Sequence, residues 1–220
     1  MELWIVLGVL AVLVVPVVVP VLQSFAIAGA SVHPLDPAST QKAFATSREA
    51  VDEDVLLELG FERDGAYLVD LRIGKAVFAM WRRGSESTYA AVYGLGSPDG
   101  GKWHLDFVTV LQDQPMLGVT TGDVRDTHTS ASMAGWYKQS FGDKTTRAAW
   151  GLHNNAEVYI CQKHAVDPKG VSMTGGEVLQ SWLRRDARYA ITHPWRFLIV
   201  PWRYWVGRHL RHGKTVEELD

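Results

Sequence analysis

From Leu3 to Leu22 the chain reads LWIVLGVLAVLVVPVVVPVL, without a charged or strongly polar side chain. A bilayer core about 30 Å thick needs roughly 20 apolar residues in a helix to cross it. The run meets that length and, after Gln23 and Ser24, stays apolar from Phe25 to Ala30. It predicts one transmembrane helix within residues 1–30. A cleaved secretory signal fits less well. Such a signal opens with basic residues and carries a shorter apolar segment, whereas here the first Lys or Arg is Lys42. Ala28-Gly29-Ala30 does fit a small-x-small cleavage site. Pro16 and Pro20 each remove a helical donor and predict a kink, a surface on which another integral membrane protein could dock. Lys42 and Arg48 just past the span favour a cytoplasmic domain at the cell (inner or plasma) membrane.

What remains is about one domain of sequence. The whole chain is 47% apolar with nine Trp, eight of them beyond residue 30, enough to build a core, so wholesale disorder is excluded. The net charge of −2 gives no global basic surface for nucleic acid. A single cysteine, Cys161, rules out an intrachain disulfide.

Residues 31–51 read as a juxtamembrane linker in which Ser39 to Ala50 can form a short helix. Asp52 is an N-cap candidate and Gly60 a stop, which predicts a helix over 52–59. Then follow runs of aromatic and branched residues at 66–73, 75–82, 88–95, 102–112 and 115–121, separated by turn signals at Gly74, Arg83-Gly84-Ser85 and Ser97-Pro98-Asp99-Gly100-Gly101. Connections this short exclude crossover helices and predict an antiparallel meander. Residues 122–156 are polar and Gly-broken, with at most a short helix near Ser132–Phe141. EVYICQK over 157–163 reads as a strand, and helical spacing of Val178, Leu179, Trp182, Leu183 and Tyr189 predicts a helix over 176–190. The fold class is α+β: an N-terminal transmembrane helix, then one domain over 52–192 with an antiparallel sheet of five or six strands and flanking helices.

Residues 193–220 form a basic-aromatic segment. Trp195, Trp202 and Trp205 alternate with Arg196, Arg203 and Arg208, and Arg184 and Arg185 precede them. Aromatics interleaved with arginines suit a membrane interface, with anionic lipid headgroups as partner. The same residues could instead fold back on the sheet.

Catalytic constellations are sparse. His104 and Asp106 share one face of a strand, opposite Trp103, Leu105 and Phe107; such a pair can serve as base and orienter, or lie on the solvent side of a half-buried sheet. Asp126 and His128 lie near Ser130 and Ser132, without the G-x-S-x-G of a nucleophile elbow. Cys161 and His164, with His153 nearby, resemble half a zinc site. A spacing of three on a strand turns them to opposite sides, and no second Cys exists. Gly94-Leu95-Gly96 lacks the third glycine of a dinucleotide loop. No cofactor or metal is expected. The sequence points to a non-catalytic, membrane-anchored accessory or scaffold protein. The competing readings are a membrane-associated hydrolase using His104, Asp106, Asp126 and His128, and a module that binds a lipid or small apolar ligand.

Overall fold

A computed structural model of the chain describes residues 29–48, 50–71, 74–95, 103–112, 116–122, 135–142, 144–167, 172–193 and 212–220. In chain order these residues form β1 (Ser31–Pro34), α1 (Pro37–Ser47), α2 (Glu53–Glu58), β2 (Phe61–Asp70), β3 (Lys75–Arg83), β4 (Thr88–Leu95), β5 (Trp103–Gln112), β6 (Leu117–Gly122), β7 (Trp136–Ser140), α3 (Thr146–His164), α4 (Gly175–Thr192) and α5 (Val216–Leu219). Each helix start carries a side-chain cap. The Asp36 carboxylate accepts from the amides of Ala38 and Ser39, with Pro37 in the first turn. Asp52, Thr145, Thr174 and Thr215 cap α2 to α5, the last two as reciprocal boxes with Glu177 and Glu218. These caps satisfy donors that the first helical turn leaves open.

The strands form one sheet in the order β1-β2-β3-β4-β5-β6-β7. Neighbours from β1 to β6 pair antiparallel, while β6 and β7 run parallel. A parallel neighbour needs a connection of a dozen or more residues, and the stretch between Gly122 and Trp136 provides it. The sheet is covered on both faces. On the first face, α1, α2 and α3 enclose Phe44, Leu56, Phe61, Trp81, Phe107 and Trp150. On the second, α4 lays Val178 and Leu179 over Phe78, Met80, Tyr89 and Trp136. A third cluster joins Leu117 and Val119 of β6 to Ala156 and Ile160 of α3 and to Val216.

A bulge in β2 between Arg63 and Gly65 places Asp64 under the start of α4. Its Oδ2 accepts from Gly175 N at 3.1 Å and from Tyr67 Oη at 3.0 Å. A Cβ on Gly175 would lie 2.5 Å from that oxygen, so glycine is what lets helix and strand approach.

Several sequence-based expectations are corrected. The sheet has seven strands and is mixed, where an antiparallel one of five or six was expected, because the long connection allows the parallel β7. The strand expected over 157–163 belongs to α3, and the helix sought near 132–141 is replaced over 136–140 by β7. Residues 31–34 and 37–47, expected in a linker, add β1 and α1 to the domain. The transmembrane helix and the cell-membrane location are also corrected. No helix among the described residues is long and apolar enough to cross a membrane. The two longest, α3 and α4, alternate buried with charged positions, as helices laid on a sheet do. The apolar run itself lies, over residues 1–28, outside the described residues.

The Trp136 ring packs against Gly118: a Cβ there would stand 2.3 Å from Trp136 Cζ3 and 2.6 Å from Thr109 O. Neither a buried indole nor a ladder carbonyl yields easily, and overpacking of this kind costs about 1–3 kcal/mol. Gly118→Ala is expected to lower stability by about that amount in urea titration. An unchanged midpoint would show that Trp136 is free to move.

Candidate functional site: a charged cleft beside two polar clusters

α2 begins with three acids, and each meets a different fate. The Asp52 side chain accepts from Val55 N at 3.3 Å, while its own N–H donates to Thr146 Oγ1 at 3.0 Å, tying the start of α2 to the start of α3. Asp54 stays exposed. Glu53 turns inward and is only 9% exposed. Its carboxylate receives Arg63 Nε at 2.6 Å and Arg63 Nη2 at 2.8 Å, Arg48 Nε at 3.1 Å and the Trp81 indole at 3.3 Å. The paired donors of Arg63, aided by Arg48 and Trp81, hold the Glu53 carboxyl down at about 2 against the cost of burial. The Arg63 guanidinium also lies 4.8 Å from the centre of the Phe44 ring, and Phe44 meets Trp81 edge-on at 4.8 Å.

Above this cluster opens a cleft of about 650 Å³ whose rim includes Arg48, Asp52, Asp54, Lys144 and Arg147. Arg147 is paired with Glu58 of α2. Both signs of charge thus border a hollow between two helix starts.

A second cluster is sealed. His153 of α3 is fully buried; its Nε2 lies 2.9 Å from Thr109 Oγ1 and its Nδ1 3.0 Å from Thr121 Oγ1. Thr109 donates to Glu157 at 3.2 Å and sits 3.0 Å from the Thr88 hydroxyl. Gln139 Nε2 donates to Thr121 Oγ1 at 2.8 Å and to Leu152 O at 2.9 Å, and Gln139 Oε1 accepts from Val216 N at 2.9 Å. Donor accounting sets the tautomer. With its one proton on Glu157, Thr109 must accept from His153 Nε2–H, so Nδ1 accepts from Thr121. Desolvation pushes His153 down to about 3, so the ring is neutral. Burial pushes Glu157 the other way, upward, opposed by the Thr109 hydrogen bond. Both nitrogens of His153 are thereby engaged.

The pair singled out from the sequence lies elsewhere. His104 and Asp106 do share the face opposite Trp103, Leu105 and Phe107, but that face is covered too: Asp106 is only 7% exposed. Tyr93 Oη donates to Asp106 Oδ2 at 3.3 Å, and the Tyr93 ring lies 5.7 Å from that of His104 and stacks on Phe78. Gly122 stands opposite, where a Cβ would meet Asp106 Oδ1 at 2.5 Å. Asp126 and His128, the other half of that constellation, are outside the described residues. So are Trp195, Arg196, Trp202, Arg203, Trp205 and Arg208. Arg184 is exposed on α4, while Arg185 turns inward, with its guanidinium 4.3 Å from the centre of the Trp136 ring.

Cys161 and His164 sit three apart on a helix, which puts them on neighbouring positions rather than on opposite sides. Burial, with Glu157 nearby, raises the Cys161 thiol to about 11, and His164 Nε2 lies 2.8 Å from Tyr137 Oη. Among the described residues no group of three or more His, Cys, Asp or Glu is gathered as a metal site. Sequence reasoning missed the buried roles of Glu53, His153 and Glu157. Glu53 reads as an ordinary helix-start acid, and the period that would have exposed His153 and Glu157 as inward-facing is that of α3 itself.

No family model, curated protein or solved structure was found to match this chain.

Two pH-dependent outcomes follow. The Glu53 carboxyl is lowered from its usual value, so its contribution is present above pH 4.5 and is lost as pH falls towards 2. Allowing for the exposure of Arg48, Glu53→Gln is expected to cost about 2 kcal/mol at pH 7, with the gap to wild type closing across that window in urea titrations. A gap independent of pH would contradict the ion cluster. His153 is also lowered, so unfolded chain takes up a proton that folded chain refuses; its contribution is complete above pH 6.5 and declines towards pH 3. His153→Phe strips hydrogen bonds from Thr109 and Thr121 and is expected to cost about 2–3 kcal/mol at pH 7. The difference from wild type should narrow below pH 6.5; a constant difference would mean that His153 is protonated in the fold. Glu157, shifted upward, acts with the opposite sign and is common to both proteins.

Proposed function

We propose that this is a non-catalytic accessory domain that presents the cleft bordered by Arg48, residues 50–55 and residues 144–147 to a partner protein. The observation that carries this reading is how the cleft is built. Its floor is held by Glu53, pinned by Arg48, Arg63 and Trp81, and its rim offers exposed Asp54, Lys144 and Arg147. A preformed hollow with charges of both signs suits a polypeptide segment that carries complementary charges, since such contacts select partner and register.

The chemistry of the polar residues supports a binding role over a hydrolytic one. A general base needs a proton-accepting atom within reach of substrate. His153 has both nitrogens engaged with threonine hydroxyls, and the Asp106 side chain packs into a covered face beside Tyr93. These groups act as ties between elements.

A photo-crosslinking residue at position 144 is expected to give a discrete adduct with one protein in the native cells. The same residue in place of Lys75, at the far end of β3, should not. Combining Asp54→Lys with Lys144→Glu should change stability by less than about 0.5 kcal/mol, as exposed substitutions generally do. The reversed charges should lower recovery of the partner at least ten-fold. Equal adducts from both positions, or recovery unaffected by charge reversal, would rule the cleft out as the docking site.

A further inference from the structure

The last residues of the chain reach a surface built by other elements and make four kinds of contact with it. Gly213 N–H donates to Ser140 O at 2.9 Å, on β7 at the end of the sheet order. Val216 N–H donates to Gln139 Oε1 at 2.9 Å, and the Val216 side chain, 2% exposed, joins Leu117, Val119, Ala156 and Ile160. Asp220 accepts from Tyr159 Oη at 2.8 Å and pairs with Lys163. His212 meets Ser140 Oγ through Nδ1 at 3.2 Å and Gly142 N through Nε2 at 3.4 Å.

The turn between these contacts holds its own shape. Thr215 and Glu218 cap each other, Thr215 N donating to Glu218 Oε2 at 2.7 Å and Glu218 N to Thr215 Oγ1 at 3.3 Å. Among residues 212–220 only Val216 is buried. The walls of the groove, in contrast, belong to the sheet and to α3, which His153 ties together through Thr109 and Thr121. One apolar anchor, hydrogen bonds to a strand edge, a charge pair at the end and a locally capped turn are the features by which folded domains recognise short peptides.

We propose that β7 and the C-terminal half of α3 form a peptide-recognition groove, and that residues 212–220 occupy it as a separable ligand which the same peptide supplied in trans can replace. The groove reads a Thr-capped helical turn with valine directly after the cap and an acid four residues beyond the valine. With one buried anchor against the ordering of nine residues, the hold is weak and reversible. Release of the tail opens the edge of β7, where Ser140 O and the Gln139 amide oxygen then stand ready to accept from another chain. This surface is independent of the charged cleft.

The test titrates a fluorescent peptide of residues 212–220 into the full chain and into its Val216→Asp variant, whose own tail no longer fits. The peptide is expected to bind the variant at least ten-fold more tightly than wild type, because the wild-type tail competes at high effective concentration. Adding Lys163→Glu to the variant should weaken binding, and a peptide carrying Asp220→Lys should restore it. Three results would overturn the proposal: equal affinity for both chains, no binding by either up to millimolar peptide, or failure of the charge exchange to restore affinity. Loss of the native far-ultraviolet spectrum in Val216→Asp would overturn it as well, since the tail would then be an integral part of the core.

Discussion

Side chains along a strand alternate between two faces, and in β3, β4 and β5 both faces are buried. On β3, Ala79 and Trp81 enter one core while Phe78 and Met80 enter the other. A sheet whose central strands are apolar in both phases must be covered on both sides, and the helices divide accordingly. α1, α2 and α3 take one face and α4 the other. Most other features of the domain follow from this arrangement, including which polar residues end up inside and what they must do there.

Polar groups carried into such an interior need partners, and two electrostatic solutions are in use. Glu53 stays charged because Arg63 and Arg48 surround it, and this fixes α2 against β2 and β3. His153 stays neutral because no counter-charge offsets its desolvation, and its two nitrogens stitch α3 to β5 and β6. The first solution borders an open cleft and leaves further charges at its rim. The second is closed on all sides, and its far end, the Gln139 amide, meets Val216 of the tail. The same need to satisfy buried groups therefore links the frame of the domain to both of its candidate interaction surfaces.

Much of the local structure was legible. The helix expected over 176–190 is α4 (Gly175–Thr192), that over 52–59 is α2 (Glu53–Glu58), and the five strand runs coincide with β2 to β6 to within a few residues at most ends. The short helix after residue 38 is α1. The largest omission was α3, whose inward positions include Thr146, His153 and Glu157 beside Trp150, Ala156 and Ile160. Hydrophobic periodicity registers only apolar inward residues, so three polar ones at those positions erase the helical signal and leave 157–163 to read as a strand. β1 was hidden by its four residues and by Pro34, and β7 by the polar stretch around it. Of the candidate site, Asp52 was visible as a cap, but the ion cluster was not. Arg63 and Trp81 lie 10 and 28 residues from Glu53, and nothing local announces that they meet.

By itself, the sequence determined the period-two strands, the caps and glycine stops that bound the helices, and the α+β class with a largely antiparallel sheet. These depend on interactions between residues a few positions apart. Only tertiary structure decided the seventh, parallel strand, the cover on the second face that buries Asp106, the neutral state of His153 and the depressed carboxyl of Glu53. Each of these depends on which distant side chains are brought within hydrogen-bond reach and how much water is removed. Desolvation and long-range pairing belong to the assembled core, and no short window of residues carries them.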